Sequence, residues 1–585
     1  MNPSSIGLSF IVEPGIDHLE VTLRWGRYEA EEVEEVGKDS KLHKRKVYRR
    51  RQCEHSVALD VSISPPPHTL EPGIRAEFLV RRRIDGRTAV SAFLVNRIAS
   101  QTPERPEDDE WLFQPEIFVR SADARPVFAA RRLEDVAWSE DPDLLASELL
   151  YWNRPEYAVG HGCAAEWTAP EGERTSATEI RTEVLPTYER ARVDPRESDT
   201  PGLDMRVLGG SGPDGVPGAR LRELLTPLAQ EYKAWIDDRL QAQLLPLVPA
   251  ELTEQALEHV DGCKLAYARM MDGIELVATD KDAGEAFCFA NRAMALQRER
   301  SVKALARRHG EQQPSSVAAR WRPFQVAFIL LNLPAMVDRR HPHRDVADLL
   351  WFPTGGGKTE AYLGLTAFAL AHRRLRDPID GHANHAGVTV LMRYTLRLLT
   401  VQQFQRATAL ICACEYLRDT EGVWGEGRFT IGLWVGRSAT PNLYSDPQGE
   451  RGAKEALARL ANGHLPRRDG GSPVQLLYCP WCGAKLTQRE AGYNIEKPVP
   501  GTYVADDDAA AVHIYCADEE CYFSPITSDG IPAHTVDEQL YHHIPSLVIA
   551  TVDKFAQMPF NGRTQGLFGR VRRFCSRHGY ITAGE

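Results

Sequence analysis

LLWFPTGGGKTEAYLGLTAFALAHRRL, residues 349–375, is the stretch on which the reading of the whole chain turns. An apolar run enters three successive glycines and continues into apolar residues at helical spacing, an order that phosphate binding requires. Gly355, Gly356 and Gly357 let the backbone curl until successive N–H groups face one point. A helix beginning near Lys358 then adds the positive end of its dipole. In such a turn Thr354 and the glycines cradle the phosphates of ATP, Lys358 reaches the β- and γ-phosphates, and the Thr359 hydroxyl completes the coordination of Mg²⁺. Phe352 stands where the full P-loop pattern has its first glycine.

Outward from this loop, residues 314–585 alternate short apolar strands with helices. DVADLLWF (345–352), GVTVLMRY (387–394), FTIGLWVG (429–436) and IPSLVIATVDKF (544–555) are the expected strands, which predicts a parallel α/β sheet. Residues 136–313 read as mainly helical, with LRELLTPLAQEYKAWIDDRLQAQLL (221–245) as the clearest periodic segment and a Pro/Gly/Asp-rich loop at 191–218. Residues 1–135 read as β-rich, including a hairpin over 76–96 folded at Asp85 and Gly86. The basic run at 38–51 fits either phosphate contact or a solvated hairpin face. His161 and Cys163 have no partner pair nearby and are expected to be structural.

With 585 residues the chain is long enough for several domains. Its net charge of -11 argues only weakly against nucleic acid, because binding depends on local fields. Glu13, Asp17 and Glu20 interrupt the place where a signal peptide would carry its apolar core, and no apolar run is long enough to cross a bilayer. A cytoplasmic protein without membrane contact is therefore expected. Of the 11 cysteines, Cys479 with Cys482 and Cys516 with Cys521 form two close pairs. Four thiolates on two knuckles suit a closed, structural Zn²⁺ site over about 474–526, although the second pair is more widely spaced than usual and His513 or His534 could replace one ligand.

Other segments bear on a nucleic-acid partner. The strand-to-helix stretch TVLMRYTLRLLTVQQFQRA carries Arg393, Thr395, Arg397, Gln402, Gln403 and Arg406, residue types suited to phosphate contacts that carry no sequence preference. Thr440 in WVGRSATPN and Thr551 in SLVIATVDKFAQ are further candidates. Gln325, on a helix upstream of the loop, either reads adenine through its amide or is a surface residue. The carboxylate pair that a motor needs on a later strand is not found. Asp537 and Glu538 precede SLVIATVDKF rather than follow it, and the segment DGIPAH before them is not a buried strand; Asp108, Asp109 and Glu110 lie far upstream. The end at HGYITAGE is expected to reflect a truncation or a split gene, so hydrolysis by this chain alone stays open.

PTGGGKTE resembles motif I of superfamily 2 helicases, RYTLRLLTVQQFQR their motif Ia, and the Gln325 helix their Q-motif. Together with the CPWC knuckle, ATVDKFAQ, ELLYWNRPEYAVGHGCAAEW and EAFCFANRAMALQ, these segments resemble the DrmA-like helicase subunits of DISARM phage-defence systems. The resemblance implies a multi-domain α/β protein with a β-rich N-terminal region, a helical middle and a RecA-like ATPase domain bearing an inserted zinc ribbon. It further implies an ATP-dependent DNA helicase or translocase, and a partner subunit with a DUF1998-type domain. A non-catalytic DNA- or partner-binding module, with ATP as a conformational ligand, is the alternative.

Overall fold

The computed structural model describes residues 4–36, 42–83, 85–99, 110–130, 141–170, 175–187, 200–212, 214–352, 355–376, 384–395, 397–467, 469–489 and 495–582. The chain forms two compact units, Met1–Arg192 with Leu240–Asp261, and Val193–Arg239 with Gly262–Glu585. No described helix is long and apolar enough to cross a membrane. Asp108, Asp109 and Thr354 lie outside the described residues.

The first unit is built from antiparallel strands: β1 (Ser5–Val12), β2 (His18–Val36), β3 (Leu42–Asp60), β4 (His68–Glu71), β5 (Ile74–Arg82), β6 (Thr88–Asn96), β7 (Phe113–Ser121), β8 (Phe128–Ala129), β9 (Ala158–His161), β10 (Ala164–Thr168), β11 (Ser176–Ala177) and β12 (Glu179–Glu183). They form two sheets, ordered β11-β8-β1-β6-β5-β4 with β9 beside β1, and β10-β12-β7-β2-β3. Period-two alternation sends Leu8, Phe10 and Val12 of β1 and Leu19, Val21 and Leu23 of β2 into one shared core, the arrangement of a sandwich. The hairpin expected at Asp85 and Gly86 is the β5–β6 pair. Strands β9 to β12 fall inside the stretch expected to be mainly helical. They have two to five residues each, too few to impose a readable period. The one α-helix described before residue 200 is α1 (Pro142–Tyr151), whose cap Asp141 accepts from Asp143 N.

Strand β2 carries acidic residues opposite the basic run of β3, and Arg49 pairs with Glu31 at 2.9 Å and Arg51 with Glu29 at 2.8 Å. Both arginines thus answer carboxylates across their own hairpin.

The second unit contains α2 (Met205–Gly209), α3 (Gly218–Ala234), most of α4 (Thr253–Thr279), α5 (Lys281–His309), α6 (Pro323–Val337), α7 (Lys358–Leu375), α8 (Arg397–Glu421), α9 (Ala453–Ala461), α10 (Asp537–His542) and α11 (Val552–Gln557). Helix α5 is well delimited: Asp280 caps it by accepting from Ala283 N, Gly310 closes it in the left-handed region, and Arg307, Arg308 and His309 occupy its last turn. It packs against α2, α7 and α8. A four-stranded parallel sheet is formed by β13 (Val390–Tyr394), β14 (Ile431–Trp434), β19 (Ala533–His534) and β20 (Leu547–Thr551), in the order β13-β20-β14-β19. Every residue of β14 and β20 is buried, as a parallel strand covered on both faces requires. Leu547 and Ile549 join the core shared with α8, while Val548 and Ala550 pack with Leu540 and Tyr541 on the other face.

Two readings change here. The expected strand over 345–352 is not formed; these residues have no regular structure, with Leu349 85 % and Trp351 69 % exposed. A strand exists only where a neighbour supplies its ladder, and no described strand lies beside this segment. Conversely, the segment before Asp537 does contribute a strand, the two-residue β19, with Ala533 buried beside β14.

Between β14 and β19 the chain forms α9 and a small module with two hairpins, β15 (Thr487–Arg489) with β16 (Glu496–Pro498) and β17 (Tyr503–Asp506) with β18 (Ala511–Ile514). A third small hairpin, β21 (Arg573–Cys575) with β22 (Gly579–Ile581), follows α11.

Candidate nucleotide and metal sites

The glycine turn leads into α7 as its residue types demand. Gly355 and Gly357 have φ of 84° and 93°, values that side-chain-bearing residues rarely adopt, and Gly357 is the N-cap of α7. A Cβ at Gly357 would lie 2.7 Å from Gln325 Nε2. That contact reflects how the turn is held. Gln325 Nε2 donates to Gly357 O at 2.7 Å, Gln325 Oε1 accepts from Arg322 N at 2.8 Å, and Arg322 Nη1 donates to Gly356 O. Phe324 stacks on Phe352 with ring centroids 4.3 Å apart, and Lys358 Nζ donates to Phe352 O. The buried Gln325 amide is therefore engaged at both ends, capping α6 and gripping the turn, rather than presenting a free edge.

Gly355, Gly357, Lys358 and Thr359 line a cavity of about 1270 Å³ together with Gln325, Gln402, Gln403 and Arg406. Its cations are Arg298, Arg308, Arg320, Arg322, Lys358 and Arg406, against one carboxylate among the described lining residues, Glu360, which pairs with Arg406. In a chain of net charge -11 this is a local reversal of sign that favours an anionic ligand.

The residues expected to touch nucleic acid separate into three places. Gln402, Gln403 and Arg406 face the cavity of the glycine turn. Arg393 and Thr395 are exposed at the C-terminal end of β13, where the Arg393 guanidinium lies 5.9 Å from the ring centre of Phe555, and Arg397 begins α8. Thr440 and Thr551 are buried, so neither is presented to a phosphate. Asp537 is also buried, paired with Lys554, and burial raises its carboxyl to about 6. Glu538 accepts from Tyr444 N at 2.8 Å, and neither acid lines the cavity. The His161 ring hydrogen-bonds Ser9 Oγ at 2.7 Å, while the Cys163 thiol faces the backbone oxygens of Gly7 and His161, so the imidazole and the thiol do not pair as a dyad.

The second site is made of cysteines alone. The sulfur atoms of Cys479, Cys482, Cys516 and Cys521 all lie within 4.8 Å of one another, with Cys479 and Cys521 3.9 Å apart and Cys482 and Cys516 3.4 Å apart. Metal–sulfur bonds of about 2.3 Å in a tetrahedron place sulfurs about 3.8 Å apart, so the set fits a four-thiolate metal centre with no open position. Hydrogen bonds from the neighbouring thiols, Cys479 first, hold the Cys482 thiol well below its usual range. His513 instead contacts Asp506 at 3.3 Å and His534 contacts Gln539 at 2.8 Å, so neither replaces a cysteine. The module is tied to α5, where Arg307 pairs with Asp518 at 2.6 Å and Arg300 lies 4.3 Å over Trp481, and to α8, where Gln405 donates to Gln475 O at 3.0 Å. Sequence reasoning missed Arg322, Arg300 and Arg308. A cation three residues before Gln325 was a weak signal, and nothing local marks α5 as the support of a module some 180 positions later.

No family model matches the chain. Over 604 residues it is 32 % identical to "DISARM protein DrmA" of Bacillus paralicheniformis, an alignment that takes in 100 % of this chain and 50 % of that protein. The chain thus spans about half the length of the curated relative it matches.

Proposed function

The chain is DrmA-like over its whole length, and from that premise we propose that it is the ATP-binding part of a superfamily 2 DNA helicase or translocase acting in the cytoplasm in a DISARM anti-phage system. The observation that carries this reading is the glycine turn at the start of the 18-residue α7, gripped from outside by Arg322 and Gln325 in a cavity whose charge is reversed relative to the chain. The backbone N–H groups of the turn and the helix end would take the phosphates, Lys358 would sit against the β- and γ-phosphates, and Thr359 would bring its hydroxyl to Mg²⁺. The parallel sheet behind the turn supports a RecA-like domain, and the cysteine module a zinc ribbon in which Zn²⁺ is structural. DNA is proposed to run past Arg393, Thr395 and Arg397, with contacts to phosphate alone. A DUF1998-type subunit is the proposed partner.

Titration of the chain with ATP and Mg²⁺ beside its Lys358→Ala variant tests the reading, with hydrolysis measured with and without single-stranded DNA. Binding weakened at least tenfold by the substitution is expected; equal affinity in the two proteins would sink it. One observation favours a second reading for this chain alone. The only described carboxylate of the cavity, Glu360, is paired with Arg406, so the described lining residues offer no unpaired carboxylate to polarise water. In that case ATP binds without turnover and acts as a conformational ligand.

A further inference from the structure

The cavity that holds Lys358 and Thr359 does not end at the glycine turn. It continues to the first knuckle of the cysteine module, where Tyr478 and Pro480, on either side of Cys479, line it. Tyr478 is the one aromatic ring among the described lining residues, and the Arg308 guanidinium lies over that ring, 4.9 Å from its centre. Ser301 and Gln297, about two and three turns before Arg308 on α5, add polar groups to the same wall. At about 1270 Å³ the cavity exceeds the roughly 300–1,000 Å³ of ordinary small-molecule pockets, so there is space beyond a triphosphate bound at the turn.

A nucleoside triphosphate has two chemically distinct ends. The phosphates need N–H groups and cations, which the turn supplies. The base needs an apolar face to stack on, which Gly355, Gly357, Lys358 and Thr359 do not supply to the cavity, and the Gln325 amide is already bonded to Arg322 N and Gly357 O. The wall carrying Tyr478 is also fixed in place: Gly483, just after the knuckle, approaches Ala304 of α5 so closely that a Cβ there would sit 2.4 Å from Ala304 O. We propose that Tyr478, backed by Arg308, is the platform on which the nucleoside of a triphosphate bound at Lys358 packs, so that the metal-binding knuckle forms one wall of the nucleotide site. This rests on the nucleotide reading of the glycine turn given above. It assigns the cysteine module a role in ligand binding rather than only in holding the fold.

The test is equilibrium binding to the full metal-loaded chain, by isothermal titration with two probes, a non-hydrolysable ATP analogue and inorganic tripolyphosphate, each with Mg²⁺. Loss of a stacking ring is worth roughly five- to 150-fold in affinity. Tyr478→Ala is expected to weaken the ATP analogue about tenfold, leave tripolyphosphate unchanged and retain bound metal, with Tyr478→Phe restoring the affinity. Arg308→Ala, which lies outside the cysteine module, should weaken the ATP analogue in the same selective way. The proposal is overturned if both probes bind the Tyr478→Ala and Arg308→Ala proteins as they bind the parent, or if both are weakened equally. Lys358→Ala should weaken both probes; unchanged binding there would instead remove the glycine turn as the phosphate site, and the proposal with it.

Discussion

Gln325 shows how one side chain can serve two elements at once. Its amide accepts from Arg322 N at the start of α6 and donates to Gly357 O at the start of α7, so two helix beginnings meet on three atoms. Replacing it with alanine strands both backbone partners, and a buried donor or acceptor left without its bond costs about 1–3 kcal/mol. Gln325→Ala should therefore lower the unfolding free energy by about that amount, measured by urea denaturation, and weaken ATP binding as the turn loosens. A protein with unchanged stability would show that water replaces both bonds. Lys358 was legible because a strand-like run, three glycines and GKT leave few other readings. The engagement of Gln325 was not, because a glutamine on a helix reads the same whether its amide faces a ligand or a carbonyl.

At the scale of elements, the strands β13, β14 and β20 were legible from continuous apolar runs, whereas 345–352, mostly apolar but carrying Asp345 and Asp348, stays irregular. Composition declares that a segment can be a strand; a neighbour decides whether it is one. The four cysteines were equally plain, since two close pairs in one chain have few other uses, but the elements that brace them, α5 and α8, carry only ordinary amphipathic signals. Because the four sulfurs leave no open position, the purified chain should hold about one equivalent of Zn²⁺ by elemental analysis. Cys521→Ser should lose most of it and melt at a lower temperature. Less than half an equivalent in the folded parent would count against a metal centre.

The whole second unit carries a common acid sensitivity. Burial pushes His534 down to about 3 and, as the first cause in each case, lowers His372 and His543. Unfolded, each imidazole protonates near about 6.5. The folded values are depressed, so the unfolded chain takes up more protons, and the stability these groups contribute is present above about pH 6.5 and is lost as pH falls toward 3. Asp537, raised to about 6, works in the opposite sense between about pH 6 and 4, one carboxyl against three imidazoles. Melting temperatures recorded from pH 7 to 4 should fall, and less steeply in His534→Gln; a flat profile would mean that the imidazoles are hydrated. The first unit has a different vulnerability, set by its longest hairpin. Strands β2 and β3 each run for 19 residues, about 60 Å of ribbon, and β7 flanks β2 only over Leu19 to Gly26. Past that point described pairs such as Arg49 with Glu31 and Arg51 with Glu29 join the two strands across open solvent. Added electrolyte screens such pairs, so the ribbon's stiffness is a function of ionic strength, and its outer half should fray in brine while the sandwich beneath it stays closed.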